Sequence, residues 1–117
     1  MAVIRAVEIQ TVEEIYLLVW TAVKHKRPMR ALYLGHSRLL CPHRLGRNKD
    51  GQLRVLCYQY GGESSGGLEP AGSRNNWRCI ALEKLRKVEL LDGAWRTASN
   101  HSRPQTCVAV VDIDAED

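Results

Sequence analysis

The feature that most constrains the fold is a change of hydrophobic period at Pro28. Residues 11–25 carry apolar side chains at the 3.6-residue spacing of a helix that buries one face. From residue 30 onward the apolar positions recur towards every second residue, which indicates strands. Proline ends the helix because it lacks an N–H and clashes with the preceding turn. The helical stripe consists of Val12, Ile15, Tyr16, Val19, Ala22 and Val23.

The ends of this helix carry the expected signals. Thr11 and Glu14 have the spacing of a capping box, in which each side chain accepts a hydrogen bond from a backbone N–H at the helix start. Lys24 and His25 suit the negative end of the helix dipole. The sequence therefore predicts a helix over about 11–25.

Short apolar runs separated by turn residues follow the helix. Pro42 predicts an edge, a bulge or a bend, because proline cannot donate to the ladder. Asn48–Gly51 is typical of a hairpin turn, residues 61–76 of a glycine-rich hairpin tip, and 82–84 of a single turn. The predicted strands are 30–34, 38–47, 52–60, 77–81, 85–91 and 107–112.

With 117 residues, the chain has room for one domain, 1–117. One helix followed by short strands predicts a mainly β (α+β) fold, with a small β-barrel over about 30–91. The N-terminal helix packs on this barrel through the stripe around Ile15 and Val19, and a C-terminal strand follows at 107–112. An open α+β sheet is the alternative.

The start of the chain lacks the long apolar core of a signal peptide, because Arg5 and Glu8 interrupt it. No apolar run approaches the roughly 20 residues that cross a bilayer. We therefore expect a cytoplasmic protein without a membrane segment. In that compartment the four cysteines, at positions 41, 57, 79 and 107, are expected to be reduced thiols.

Three segments, taken in order, resemble the WYL domain of bacterial regulators. Residues 41–45, Cys-Pro-His-Arg-Leu, are similar to the family's Pro-x-x-Leu strand. Residues 50–58 stand at the place of its Gly-x-Trp-Tyr-Leu strand, with a tyrosine three residues beyond the motif. Residues 78–89 resemble its Arg-x-Phe-Arg-Leu-Asp-Arg-Ile segment and the strand after it. The resemblance covers about 30–91.

The chain departs from this family at informative positions. The Trp-Tyr-Leu motif falls on Leu53-Arg54-Val55, and the basic residue before the Leu-Asp pair falls on Ala81. The family's usual companion, a helix-turn-helix domain, has no counterpart in these residues. The resemblance implies an SH3-like β-barrel that senses nucleotides or nucleic acid within regulators and defence-associated proteins.

Five residues form the predicted ligand surface. Arg54 and Tyr58 share one face of a regular strand, where an arginine could bind a phosphate and a tyrosine could stack on a base. The resemblance places Arg78 and Lys84 beside them, with Arg44 at the margin. Their proposed role is phosphate contact. The alternatives are a tyrosine-rich core face with Arg54 at its rim, and solvated surface charge.

The distribution of charge and the absence of catalytic motifs indicate which function classes to expect. The net charge is +4, residues 24–54 are rich in Lys and Arg, and the last six residues carry four acids. The basic middle suits an anionic partner such as a nucleotide or single-stranded nucleic acid, and a solubilising surface is the alternative. The sequence offers no catalytic set, cofactor motif or zinc spacing, so we expect no enzyme, cofactor or metal. A protein-interaction module is the second function class, with a homodimer through 107–111.

Overall fold

The computed structural model describes residues 10–63, 76–97 and 106–116. Most of the predicted glycine-rich tip, residues 64–75, lies outside these ranges. Within them, no helix is long and apolar enough to span a bilayer. A 3₁₀ turn, Leu82–Lys84, joins β4 to β5. The main elements are α1 (Val12–His25), β1 (Met29–Tyr33), β2 (His36–Arg47), β3 (Leu53–Gly62), β4 (Trp77–Ala81), β5 (Leu85–Leu90) and β6 (Val110–Asp114).

Helix α1 begins as its sequence predicts. The Thr11 side chain accepts a hydrogen bond from the Glu14 backbone, and the Glu14 carboxylate accepts one from the Thr11 N–H, which completes the capping box. Lys26 ends the helix in the left-handed conformation, and Arg27 N–H donates to the Ala22 carbonyl. The change of period at Pro28 therefore marks a real boundary between helix and sheet.

The six strands form one antiparallel sheet in the order β4-β3-β2-β1-β5, and β6 also pairs with β2. β2 borders β1 along its first half and β6 along its last residues, while β3 runs along its other edge. The β2–β3 register shifts between Pro42 and Arg44, so the predicted irregularity at Pro42 is confirmed as a bulge. Bulges bend a strand and increase its twist, which lets β2 serve three partners.

The short link between the two edge strands forces the sheet to curl. Strands lie about 4.8 Å apart, so a flat five-stranded sheet would separate β4 from β5 by roughly 19 Å. The 3₁₀ turn between them rises only about 2 Å per residue and spans roughly 8 Å. Tyr33 of β1 bridges the remaining gap, because its hydroxyl accepts a hydrogen bond from the Ala81 N–H of β4 at 3.0 Å.

The curled sheet has an inner face, the face that carries Val55, Cys57 and Ile80, and α1 packs against it. Ile15, Val19, Ala22 and Val23 are the buried residues of the helix, as the apolar stripe predicts. Tyr16 lies at the edge of this contact, and its hydroxyl donates to Asp112 Oδ2 at 2.7 Å. The core also contains Met29, Ala31, Leu40, Leu45, Leu82, Leu85 and Val88.

The outer face of the sheet is covered by the C-terminal segment. Cys107 and Val108 are buried against Leu56 and Trp77, and form a second, smaller core. The last strand begins at Val110, three residues later than predicted, because these two side chains pack on the outer face instead of joining the β2 ladder. Both faces of β3 are therefore buried.

β5 does not keep the regular alternation that the sequence suggests. Leu85 and Val88 are both buried although they lie three residues apart. The β1–β5 register shifts between Arg30 and Leu32, and Lys87 adopts a positive φ of 54°. The extra residue returns Val88 to the core and leaves Arg86 exposed, so these two residues do not share a face as they would in a regular strand.

The four cysteines are not all free thiols. Cys79 of β4 and Cys107 form a disulfide, whereas Cys41 and Cys57 are free and buried. The expectation of four reduced cysteines fails because the fold brings residues 28 positions apart together across the outer face, a proximity that no local pattern encodes. The bond joins an edge strand to the segment that covers Leu56.

We expect Ile15→Ala to lower the free energy of unfolding by about 2–5 kcal/mol, the range for removing a buried Ile side chain. Ile15 is 2% exposed and lies in the core, whereas Leu17 on the same helix is 63% exposed. Leu17→Ala should therefore change stability by at most about 0.5 kcal/mol. Urea unfolding measures both variants. Equal losses would show that α1 is not docked through Ile15.

We expect Cys79→Ser to lower the free energy of unfolding by about 3–4 kcal/mol, from the closure entropy of the 28-residue separation. Thiol titration in denaturant should find the two free cysteines before reduction and all four after it. A reductant should destabilise the wild type and leave Cys79→Ser unchanged. Four titratable thiols without reductant would contradict the bond. Disulfides persist mainly in oxidising compartments, so the state of this pair in cells also tests the predicted cytoplasmic location.

Candidate anion-binding site

The register of β3 and β4 separates the predicted cations. Arg54 pairs with Ala81, and Cys57 pairs with Arg78. Directly opposite residues share a face, and successive residues alternate. Arg78 therefore lies on the inner face with Cys57, and Arg54 lies on the outer face. The structure does not bring these two predicted site residues to one surface.

Two of the predicted cations already have carboxylate partners. Arg54 Nη1 lies 3.4 Å from Glu83 Oε1, and Arg54 also donates to the Gln52 side chain. Arg44 forms an ion pair with Asp114 of β6, and both side chains are largely buried. These pairs anchor the 3₁₀ turn and β6 to the sheet, so neither arginine is poised for a ligand anion.

Tyr58 has no open ring face for a base. It is 1% exposed, and its ring meets the Trp77 ring edge-on at 5.2 Å between centroids. The alternative interpretation, a tyrosine-rich core face with Arg54 at its rim, describes this strand. Lys84 lies exposed on the 3₁₀ turn. Of the five predicted residues, only Arg78 lies on the inner face beside a second arginine.

That second arginine, Arg38, is the most unusual polar residue of the inner face. It is 4% exposed, and its Nη1 donates to Gln59 Oε1 at 3.4 Å. Its guanidinium lies over the Tyr33 ring at 5.1 Å, a cation–π contact. Its Nε is buried and has no hydrogen-bond partner. Within residues 10–63, 76–97 and 106–116, no carboxylate lies within ion-pair distance of this group.

Electrostatics make the position of Arg38 costly. Burial lowers the pKa of Arg38, and the positive charge of nearby Arg78 lowers that pKa further. The guanidinium nevertheless stays protonated, because arginine holds its proton even in unfavourable sites. Burying a charge without an opposite charge costs several kcal/mol. An anion beside Arg38 would offset this cost.

The surrounding backbone fixes this group of side chains, which we call the Arg38 cluster: Tyr33, Arg38, Gln59 and Arg78. The Gln59 amide donates to the carbonyls of Gly61 and Glu63, at 3.0 and 2.8 Å, which directs its oxygen towards Arg38. Gly62 pairs with Arg38 at a φ of 82°, and a Cβ there would collide with the Ser37 carbonyl. A glycine at this position lets the end of β3 close over Arg38.

One signal in the sequence indicated that Arg38 faces inward, and the prediction missed it. Arg38 lies two residues before Leu40 in a strand, and Leu40 is fully buried in the core. Side chains two residues apart share a face. An arginine in phase with a core leucine indicates an inward-pointing charge. Gln59 carried the same signal, because it lies two residues after Cys57 of the core and pairs with Leu40.

The Arg38 cluster supplies hydrogen-bond donors and positive charge, but its four side chains include no carboxylate, imidazole or thiol. The two free thiols elsewhere are not activated. Burial raises the pKa of Cys41 to about 11, and burial also raises the pKa of Cys57 well above its usual value. Both thiols stay protonated at neutral pH, whereas nucleophilic cysteines have lowered pKa values. The Arg38 cluster therefore offers groups that can bind an anion.

A second concave region lies between the start of α1 and β5. It is a cleft of about 620 Å³ with an apolar floor that includes Ile15 and Leu32. Arg86, Lys87 and Glu83 also line it, and Glu83 pairs with Arg54. The Gln10 side chain closes one side by hydrogen bonding to both the N–H and the carbonyl of Val88, each at 2.9 Å. All cations of this cleft are exposed, in contrast to Arg38.

Comparison with models of known protein families, with curated proteins and with solved structures finds no match for this chain. Among the described residues, no three His, Cys, Asp or Glu side chains lie close enough together to hold a metal ion. The functional argument therefore depends on the geometry and charge of the Arg38 cluster.

Proposed function

We propose that this protein is a non-enzymatic regulatory module that binds a nucleotide or a single-stranded nucleic acid through a phosphate group at the Arg38 cluster. The observation that carries the proposal is the burial of Arg38 without a carboxylate partner among residues 10–63, 76–97 and 106–116. Positions where a fold tolerates an unfavourable charge are often binding sites, because there the ligand offsets the cost. The proposed setting is cytoplasmic transcription regulation or defence.

Phosphate suits this cluster for two reasons. Guanidinium groups form paired hydrogen bonds with phosphate oxygens, and these bonds are stronger when the surroundings exclude water. A phosphate also carries the negative charge that Arg38 lacks from any carboxylate among the described residues. An uncharged ligand would leave both cations in place and would bind without relieving their repulsion.

The fold that accompanies this proposal is an SH3-like barrel of the WYL type over about 30–91, with α1 packed on it. The curled β4-β3-β2-β1-β5 order and the Tyr33–Ala81 hydrogen bond across the gap support a barrel. The three ordered WYL-like segments fall on β2, β3 and the β4–β5 corner. Arg78 belongs both to the third of these segments and to the Arg38 cluster.

We expect Arg38→Met to abolish nucleotide binding while raising the free energy of unfolding. Methionine fills a similar volume without a charge, and replacing a buried ionic group by an apolar one is neutral or stabilising by about 1–4 kcal/mol. Titration with nucleoside monophosphates and short single strands measures binding, and urea unfolding measures stability. If Arg38 serves only to stabilise the fold, Arg38→Met should instead lower the free energy of unfolding.

The matched control is Arg30→Met, because Arg30 lies on the neighbouring strand and is exposed and paired with Glu89 at 3.0 Å. This variant should retain binding and near wild-type stability. Unchanged affinity in Arg38→Met, or a stability loss with binding intact, would contradict the proposal.

A protein-interaction module is the second candidate, because α1 and β6 leave apolar side chains exposed. Val12, Leu17 and Val110 are 36%, 63% and 60% exposed. Val12 and Leu17 line a shallow cleft of about 400 Å³ that also contains Arg47, the β2 partner of Val110. Exposed apolar patches of this kind mark interaction surfaces. Cys107 is buried within the chain, so any homodimer contact would use Val110 and Val111.

If the protein is a homodimeric interaction module, the double variant Leu17→Lys, Val110→Lys should be a monomer. A lysine side chain cannot be buried in the dimer contact without an opposite charge beside it. Light scattering at tens of micromolar protein measures the change. Leu34→Lys, an exposed leucine of the β1–β2 turn, is the control and should leave the dimer intact. A wild-type monomer at these concentrations would exclude the homodimer.

A further inference from the structure

We infer that the Cys79–Cys107 disulfide is a redox switch. Its reduction by a dithiol detaches residues 106–108, which we call the cover segment, from β4 and uncovers Leu56 and Trp77 on the outer face of the sheet. This inference goes beyond the proposed function, because the proposed anion site lies on the inner face. It depends on how the cover segment crosses the sheet, how β6 is anchored and which sulfur is accessible.

The cover segment crosses three strands of the outer face. On β2, a Cβ added to Gly46 would come within 2.8 Å of the Val108 side chain, so the segment packs closely there. Leu56 of β3 lies beneath the segment, and Cys107 and Val108 are buried against it. Leu56 pairs directly with Cys79 of β4, which places the disulfide at the far side of the crossing. The covalent bond therefore fixes the β4 end of the cover segment.

The β2 end is anchored by contacts that do not involve the disulfide. Ala109 N–H donates to the Arg47 carbonyl at 2.7 Å, and β6 then continues the ladder along β2. Asp114 of β6 forms the ion pair with Arg44, and Ala115 is buried in the main core. Because these contacts hold β6 when the disulfide is cut, reduction opens the outer face locally and leaves the sheet paired.

The two sulfurs differ in access to a reductant. Cys79 is exposed, whereas Cys107 is only 7% exposed. A thiolate of the dithiol attacks Sγ of Cys79, forms a mixed disulfide with it and releases the Cys107 thiolate, which takes up a proton. The second thiolate of the reductant attacks the reductant's own sulfur in this mixed disulfide and releases the Cys79 thiolate, which is protonated in turn. The dithiol is oxidised to a disulfide, and the cysteine pair gains two electrons and two protons.

The other two cysteines do not compete in this exchange. Cys41 and Cys57 are fully buried, and burial raises the pKa of both thiols, so they stay protonated at neutral pH. The thiolate is the form that attacks a disulfide. In compartments that keep thiols reduced, disulfides are mostly transient and often sense redox state. An accessible disulfide that holds a cover over apolar side chains suits this role.

The experiment measures how fast each thiol reacts with iodoacetamide after dithiothreitol has reduced the folded wild-type chain and has been removed without oxygen. Peptide mass spectrometry assigns the modified cysteines. We expect Cys107 to react within about tenfold of the rate of the exposed Cys79, and at least about a hundredfold faster than Cys57, because only the cover has opened. Cys41 and Cys57 report global unfolding in the same sample. Oxidised glutathione should restore the bond and the protection of Cys107.

Two variants provide matched controls without reductant. Cys107→Ser gives the rate of a free Cys79 thiol, and Cys79→Ser gives an untied cover, in which Cys107 should react as fast as in the reduced wild type. If Cys107 in the reduced wild type is as protected as Cys57, the cover stays closed without the bond and the switch is refuted. Rapid reaction of Cys41 and Cys57 together with Cys107 would also refute it, because reduction would then unfold the whole chain. Modification of Cys107 before reduction would show that there is no bond to switch.

Discussion

The three-residue link between β4 and β5 is the constraint on which the rest of the structure depends. A flat sheet would hold these strands roughly 19 Å apart, so a short 3₁₀ turn between them requires the sheet to curl. The bulge at Pro42 lets β2 bend enough for this, and Tyr33 closes the gap to β4 with one hydrogen bond. Curling gives the sheet an enclosed inner face, and an enclosed face is what makes a buried arginine possible.

The single helix then divides this inner face into two parts. α1 packs on the part formed by Leu40, Val55 and Ile80, which is apolar and provides the main core. The Arg38 cluster continues the same face along the strands, and there polar side chains replace leucine and valine. An apolar residue in place of Arg38 would extend the core and stabilise it. The buried charge of Arg38, without a carboxylate partner among the described residues, is therefore the feature on which the proposed anion site depends.

The sequence predicted the helix and the turns well, but it predicted poorly which face of the sheet each strand residue occupies. The reason is physical. Capping residues, proline and turn residues act locally, so the helix and the 3₁₀ turn were found from Thr11, Pro28 and the 82–84 segment. Which face a strand residue occupies depends on register, and one residue of slip moves a side chain to the opposite face. Bulges near Pro42, Tyr60 and Lys87 introduce such slips in three strands. Arg54 and Arg78 were assigned to one surface only through the family resemblance, and the β3–β4 register places the sheet between them.

The outer face of the sheet explains why the predicted ligand surface is not exposed. Read alone, Arg54, Leu56 and Tyr58 form an exposed strand face that could bind a base. The C-terminal segment, tied to β4 by the Cys79–Cys107 disulfide, covers that face and turns Leu56 and Tyr58 into core residues. β6 then holds Arg44 through Asp114. Arg54 and Arg44 on the outer face are thus both paired with carboxylates. Among the described residues, the buried arginine without a carboxylate partner is Arg38 on the inner face.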